Sequence, residues 1–83
     1  WNNLDLKNNC KIFNNIENES FFYFTHSYYC EPKNKGIITS TSNYLDFNYC
    51  SSVSKKNIFA TQFHPEKSGE VGLRIYNNFI KII

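Results

Sequence analysis

The chain reads as a mixed α/β segment in which strands fold back on one another before a terminal helix. Three observations predict this. Residues 37–63 are rich in β-branched and aromatic side chains and are broken by short polar turns. Pro65 closes that block, because proline removes a ladder donor and restrains the residue before it. Beyond Ser68, apolar residues recur at three- and four-residue spacing.

Within Cys10-Lys11-Ile12-Phe13-Asn14-Asn15-Ile16, the apolar positions 12, 13 and 16 suit one or two helical turns that include Cys10. Glu17-Asn18-Glu19-Ser20 is polar and predicts a surface turn. Phe21-Phe22-Tyr23-Phe24-Thr25-His26 is aromatic and uncharged, so residues 21–26 are expected as a strand buried on both faces. Glu31 to Gly36 breaks it as a polar loop. Residues 37–44 and 47–53 predict two further strands. Ser54-Lys55-Lys56-Asn57 then turns the chain into a last strand over 58–63. In the tail, Gly72, Tyr76, Phe79, Ile80 and Ile83 form the expected buried stripe, flanked by Ile75. Ser68 suits the N-cap and Glu70 the positive first turn.

The composition fits one small globular domain and points away from several function classes. The 83 residues are 41% hydrophobic and 19% charged, which is neither disordered nor membrane-like. A single core in so short a chain is marginal, since it buries only about 60–65% of the unfolded surface. The abundant Asn, Ile and Lys are read as a genomic composition bias without functional weight. The net charge is +2, and Lys55-Lys56 is the only adjacent basic pair, so no footprint for nucleic acid is expected. No run of 18 apolar residues suggests a membrane span. Cys10, Cys30 and Cys50 are an odd number without a Cys-x-x-Cys pair. They predict free thiols in a reducing cytosol rather than a disulfide framework or a zinc site. The start at Trp1, with no Met in the chain, suggests a piece of a longer protein.

His64 and Glu66 flank Pro65, and side chains two apart in an extended segment project from one face. A carboxylate beside an imidazole fixes its tautomer and stabilises the imidazolium. A base that activates a thiol and then protonates a leaving amine needs both effects. Taken alone, the bare triplet is weak evidence and better fits a surface turn carrying a solvated ion pair.

Its surroundings narrow the reading. Gln62-Phe63-His64-Pro65-Glu66-Lys67-Ser68-Gly69, followed by a helix, resembles the C-terminal signature of the class I glutamine amidotransferases. Upstream, Phe22-Tyr23-Phe24-Thr25-His26-Ser27-Tyr28-Tyr29 looks like the aromatic strand and His-Ser-Tyr turn of one branch of that family. That branch comprises the glutaminase subunits of imidazole glycerol phosphate synthase, in histidine biosynthesis. The opening Trp1-Asn2 is similar to the Gly-Trp-Asn motif of the same branch. The motifs occur in the right order and span essentially the whole chain.

The resemblance implies the C-terminal part of a flavodoxin-like domain, with an antiparallel excursion and a C-terminal helix. It implies a Cys-His-Glu hydrolysis of glutamine, with no cofactor or metal, in a cytoplasmic heterodimer. The ammonia passes to a cyclase subunit built as a (β/α)₈ barrel. His64 would be the general base and acid, and Glu66 its orienter. Ser27 and Tyr28 match the turn whose backbone holds the substrate α-carboxylate. Trp1, Tyr23 and Lys67 match positions at the cyclase-facing surface. Each has a plainer alternative: Tyr23 as core, Lys67 as a solvated charge, Trp1 as a frayed end. His26 suits a residue that shapes the turn better than a second base.

The sequence departs from the family at the nucleophile. The family's cysteine stands on a glycine-framed elbow, and no cysteine here has a glycine within two residues. Residues 1–83 are therefore expected as the C-terminal portion of one amidotransferase domain, inactive alone, with the nucleophile elsewhere. Two rivals stay open: an amidotransferase of another pathway, and a non-catalytic remnant that docks on a barrel partner. The expected piece should also expose an apolar face.

Overall fold

Six short strands and one helix form in the computed structural model, which describes residues 1–8, 10–24, 31–56 and 58–82. Strand β1 (Asn2–Asn3) pairs antiparallel with β3 (Phe21–Phe22). A second, four-stranded antiparallel sheet runs in the order β2-β4-β5-β6, with β2 at Asp5–Leu6, β4 at Ile38–Tyr44, β5 at Phe47–Lys55 and β6 at Ile58–Thr61. Helix α1 (Gly69–Ile82) closes the chain, and 3₁₀ turns occupy Lys11–Phe13, Lys35–Ile37 and Pro65–Lys67. The mixed α/β character, the antiparallel strands and the terminal helix are as expected from the sequence.

The β4–β5 hairpin is the longest ladder, running from Ile38↔Val53 to Tyr44↔Phe47 with irregular register on both sides of Ser40. The register shift falls where the buried face is polar. Thr39, Ser40, Ser51 and Ser52 are all buried there and satisfy one another: Thr39 Oγ1 meets Ser52 Oγ at 2.7 Å and Ser40 Oγ meets Ser51 Oγ at 2.8 Å. Hydroxyls can be buried at this density only because each finds a partner.

The apolar core lies elsewhere, between α1, the Lys11–Phe13 turn, β3 and the segment leading out of β6. Leu4, Ile12, Phe13, Ile16, Phe22, Phe63 and Ile75 form it. Phe63 is its centre, with ring centroids 4.6 Å from Phe22, 5.7 Å from Phe24 and 6.4 Å from Phe13. Asn78 stitches α1 to the Lys11–Phe13 turn, donating from Nδ2 to the Ile12 and Asn14 carbonyls at 2.8 Å each.

Several expectations need correction. The aromatic stretch does not form a strand buried on both faces over its described residues 21–24: regular pairing there covers Phe21–Phe22, and Phe22 is buried while Phe21 is 60% exposed. Its partner β1 is two residues long, so only one side meets the core. Phe24 makes an isolated antiparallel bridge with Phe63, and residues 25–26 lie outside the described residues. Cys10 precedes its 3₁₀ turn rather than lying within it. The last strand ends at Thr61 rather than residue 63. Gln62 N–H still reaches the Ser51 carbonyl at 2.9 Å, but Phe63 is drawn across to Phe24 by the core.

The buried stripe of α1 is also rotated from the expected one. Gly72, Ile75 and Asn78 are buried, while Tyr76 is 42% and Ile80 65% exposed; Ile83 lies outside the described residues. The rotation follows from backbone contact at Gly72, where a Cβ would stand 1.9 Å from the Pro65 carbonyl oxygen. Only glycine lets the helix lie this close to the turn beneath it.

Candidate active site

The order core residue, exposed residue, proline, acid decides how the site is built. Phe63 is 2% exposed and fixed among aromatic rings, so the next side chain, that of His64, must point away from the core. The His64 N–H donates to the Tyr23 carbonyl at 2.8 Å, which ties the residue to the aromatic segment. Pro65 then starts a 3₁₀ turn with its φ already suitable, and the Lys67 N–H closes it on the His64 carbonyl at 3.1 Å. This turn brings Glu66 back beside the imidazole. His64 Nδ1 and Glu66 Oε2 are 2.9 Å apart, with the side chains 36% and 51% exposed.

The hydrogen bond from His64 holds the Glu66 carboxyl below its ordinary range, and the residue's own backbone N–H adds to the effect. A carboxylate on Nδ1 fixes the tautomer that makes Nε2 the basic nitrogen, and it stabilises the ring once protonated. The pair can therefore accept and return one proton.

Tyr23, Trp1 and Lys67 gather at the same place. The Tyr23 ring lies edge-on to His64, with centroids 6.2 Å apart, and edge-on to Trp1 at 5.9 Å. Lys67 Nζ stands over the Tyr23 ring, 5.6 Å from its centroid, in cation–π range. Tyr23 is half-buried, so the core alternative is only partly met. Trp1 is 67% exposed, yet its neighbour Asn2 is anchored by a 2.6 Å bond from Nδ2 to the Asn43 carbonyl. Ser27, Tyr28 and His26 lie outside the described residues, as does Cys30. Cys10 is a half-buried free thiol, and Cys50 is buried with its Sγ donating to the Ser52 carbonyl at 3.4 Å.

The sequence reading missed how Ser68 and Gly72 contribute. Ser68 does occupy the cap position of α1 in its backbone, since its carbonyl accepts from the Gly72 N–H at 3.4 Å. Its hydroxyl, however, accepts from the Tyr23 N–H at 2.9 Å and donates to the His64 carbonyl at 2.6 Å. A glycine inside an otherwise apolar helical stripe was the available signal for the close approach at Gly72.

The family model for glutamine amidotransferase class-I matches residues 2–83. The chain belongs to this family. Among curated relatives of this class I amidotransferase chain, the imidazole glycerol phosphate synthase subunit HisH of Chlorobium luteolum is 51% identical over 79 residues, covering 95% of the chain and 39% of the relative. The subunit of the same name from Methanocaldococcus jannaschii is 43% identical over 83 residues, covering all of the chain and 41% of the relative. That of Dehalococcoides mccartyi is 48% identical over 82 residues, covering 99% and 40%. The amidotransferase chain thus spans well under half the length of the relatives it matches. Among its described residues, no helix is long and apolar enough to cross a membrane.

Proposed function

We propose that residues 1–83 are the C-terminal portion of a single amidotransferase domain, the glutaminase subunit of imidazole glycerol phosphate synthase. In this reading the longer protein hydrolyses glutamine to glutamate and ammonia in the cytoplasm, and a cyclase subunit of the heterodimer takes up the ammonia. The observation that carries it is the 2.9 Å contact between His64 Nδ1 and Glu66 Oε2, on a turn tied to the aromatic segment. The relatives' names and the short share of their length covered here support the rest.

On this reading the reaction is a covalent hydrolysis served by one base. A cysteine on the preceding part of the chain gives its proton to His64 Nε2 and attacks the glutamine amide carbon. His64 then returns the proton to the departing ammonia, and water releases glutamate from the thioester by the same base. Glu66 keeps Nδ1 protonated throughout and stabilises the transient imidazolium. Ser27 and Tyr28 hold the α-carboxylate, and no metal or cofactor takes part. Trp1, Tyr23 and Lys67 face the cyclase, where an exposed indole and a lysine held on an aromatic ring suit a mixed apolar and charged contact.

The test separates the pathway from the chemistry. Full-length protein is offered glutamine together with an imidazole glycerol phosphate cyclase, an anthranilate synthase or a guanylate synthase component. Glutamine-dependent product is expected with the cyclase alone. Product with another synthase overturns the pathway assignment, and product with none favours a non-catalytic docking remnant.

A further inference from the structure

We propose that Ser68 is a positioning residue for His64, an inference that rests on the catalytic reading of His64 given above. The hydroxyl closes a ring of three hydrogen bonds. The His64 N–H donates to the Tyr23 carbonyl at 2.8 Å, the Tyr23 N–H donates to Ser68 Oγ at 2.9 Å, and Ser68 Oγ donates to the His64 carbonyl at 2.6 Å. Both backbone polar groups of His64 are thereby fixed to the same two residues. Ser68 is 2% exposed, so water does not compete for these bonds.

Only a group that donates and accepts at one atom can close this ring, which limits the position to a hydroxyl or, less well, a thiol. The choice runs against the local rule for helices. A serine at the start of α1 would ordinarily turn its oxygen toward the free N–H groups of the first turn. Here the oxygen is diverted to the backbone of Tyr23 and His64. A broken local rule beside a reactive group is where a functional constraint is expected.

The ring acts on the direction of the imidazole. Glu66 reaches Nδ1 from two residues along the same turn, so rotation of the His64 backbone moves ring and carboxylate relative to one another. With the carbonyl held by Ser68, the Lys67 N–H also finds its acceptor at 3.1 Å and the turn keeps its shape. A looser turn leaves the ring misaligned with the thiol, and misplacement by about 1 Å costs roughly a hundredfold in rate.

The experiment uses the full-length protein assembled with its cyclase partner. Ser68→Ala is expected to lower kcat for glutamine by about tenfold to a hundredfold while KM changes by less than about twofold. Turnover with added ammonia should be unchanged. Ser68→Cys, which keeps a weak donor and acceptor, is expected to fall between serine and alanine. The ¹⁵N signals of His64 should report one tautomer in the parent protein and a mixture in Ser68→Ala. An unchanged kcat and tautomer in Ser68→Ala overturns the inference. So does a loss that appears equally in ammonia-dependent turnover. Should Ser68→Ala fail to assemble, Ser68→Cys decides: parental kcat overturns the inference and reduced kcat at parental KM supports it. His64→Ala run in parallel separates the two levels. Glutamine turnover surviving in His64→Ala removes the catalytic reading itself, whereas its loss there and survival in Ser68→Ala removes only the role of Ser68.

Discussion

At Glu66 the hydrogen bond from His64 keeps the carboxyl ionised further into acid than its ordinary value of 4.5. A depressed acid contributes stability above the pKa it has when unfolded, and that contribution is lost as pH falls through its lower folded value. The window therefore lies below pH 4.5. Because the pair is solvent-exposed, the contribution is small, and the titration is the sharper observable. In a carbon-detected NMR titration the Glu66 midpoint is expected below 4.5, and His64→Ala should return it upward. A midpoint unmoved by that substitution would show that His64 is not the partner. The identity of this pair was legible from the sequence because the two residues stand two apart around a proline. The clamp at Ser68 was not legible, since a serine before a helix reads as a cap and only tertiary contact diverts its hydroxyl.

At the scale of elements, α1 is fastened to the site by a glycine and to the core by an asparagine. Gly72→Ala places a Cβ 1.9 Å from the Pro65 carbonyl oxygen, so helix and turn must separate. Overpacking of this kind costs about 1–3 kcal/mol, and here it also disturbs the turn that carries His64 and Glu66. Lower unfolding stability together with reduced glutamine turnover is expected. A variant with parental stability would contradict the contact. Asn78→Ala leaves the Ile12 and Asn14 carbonyls without the donor they share, for a loss of about 1–3 kcal/mol by denaturant unfolding.

The β4–β5 hairpin and the extent of α1 were readable from β-branched runs, polar turns and helical spacing. The rotation of α1 was not, because periodicity placed Gly72 in the buried stripe but could not rank the polar Asn78 above Tyr76 and Ile80. Backbone contact and buried hydrogen bonds outweighed hydropathy at those positions. The abundant asparagines, dismissed as composition bias, also have structural work. Asn8 and Asn15 take φ values of 59° and 61°, which asparagine tolerates better than most residues. Asn8 Nδ2 bonds the Ile38 carbonyl at 2.7 Å.

For the molecule as a whole, the described chain leaves several large apolar side chains exposed. Leu73, Tyr76 and Ile80 are 62%, 42% and 65% exposed along one side of α1, and Trp1, Tyr44 and Leu45 add to the apolar surface. On the proposed reading of the chain as a piece of a larger domain, the rest of that domain covers the exposed side of α1. Residues 1–83 alone are expected to bind a hydrophobic dye and to associate with rising concentration. Leu73→Glu with Ile80→Glu should reduce both, as read by fluorescence and sedimentation velocity. A monodisperse, dye-silent peptide would contradict the expectation.

His64 carries the proposed chemistry, and one pair of rates tests it. On the proposed function, His64→Ala in the full-length protein mixed with an imidazole glycerol phosphate cyclase is assayed with glutamine and separately with ammonia as nitrogen source. Glutamine-dependent turnover is expected to fall by at least about a thousandfold while ammonia-dependent turnover stays at the parental level. Glutamine-dependent turnover that survives the substitution would contradict the assignment of His64 as the base.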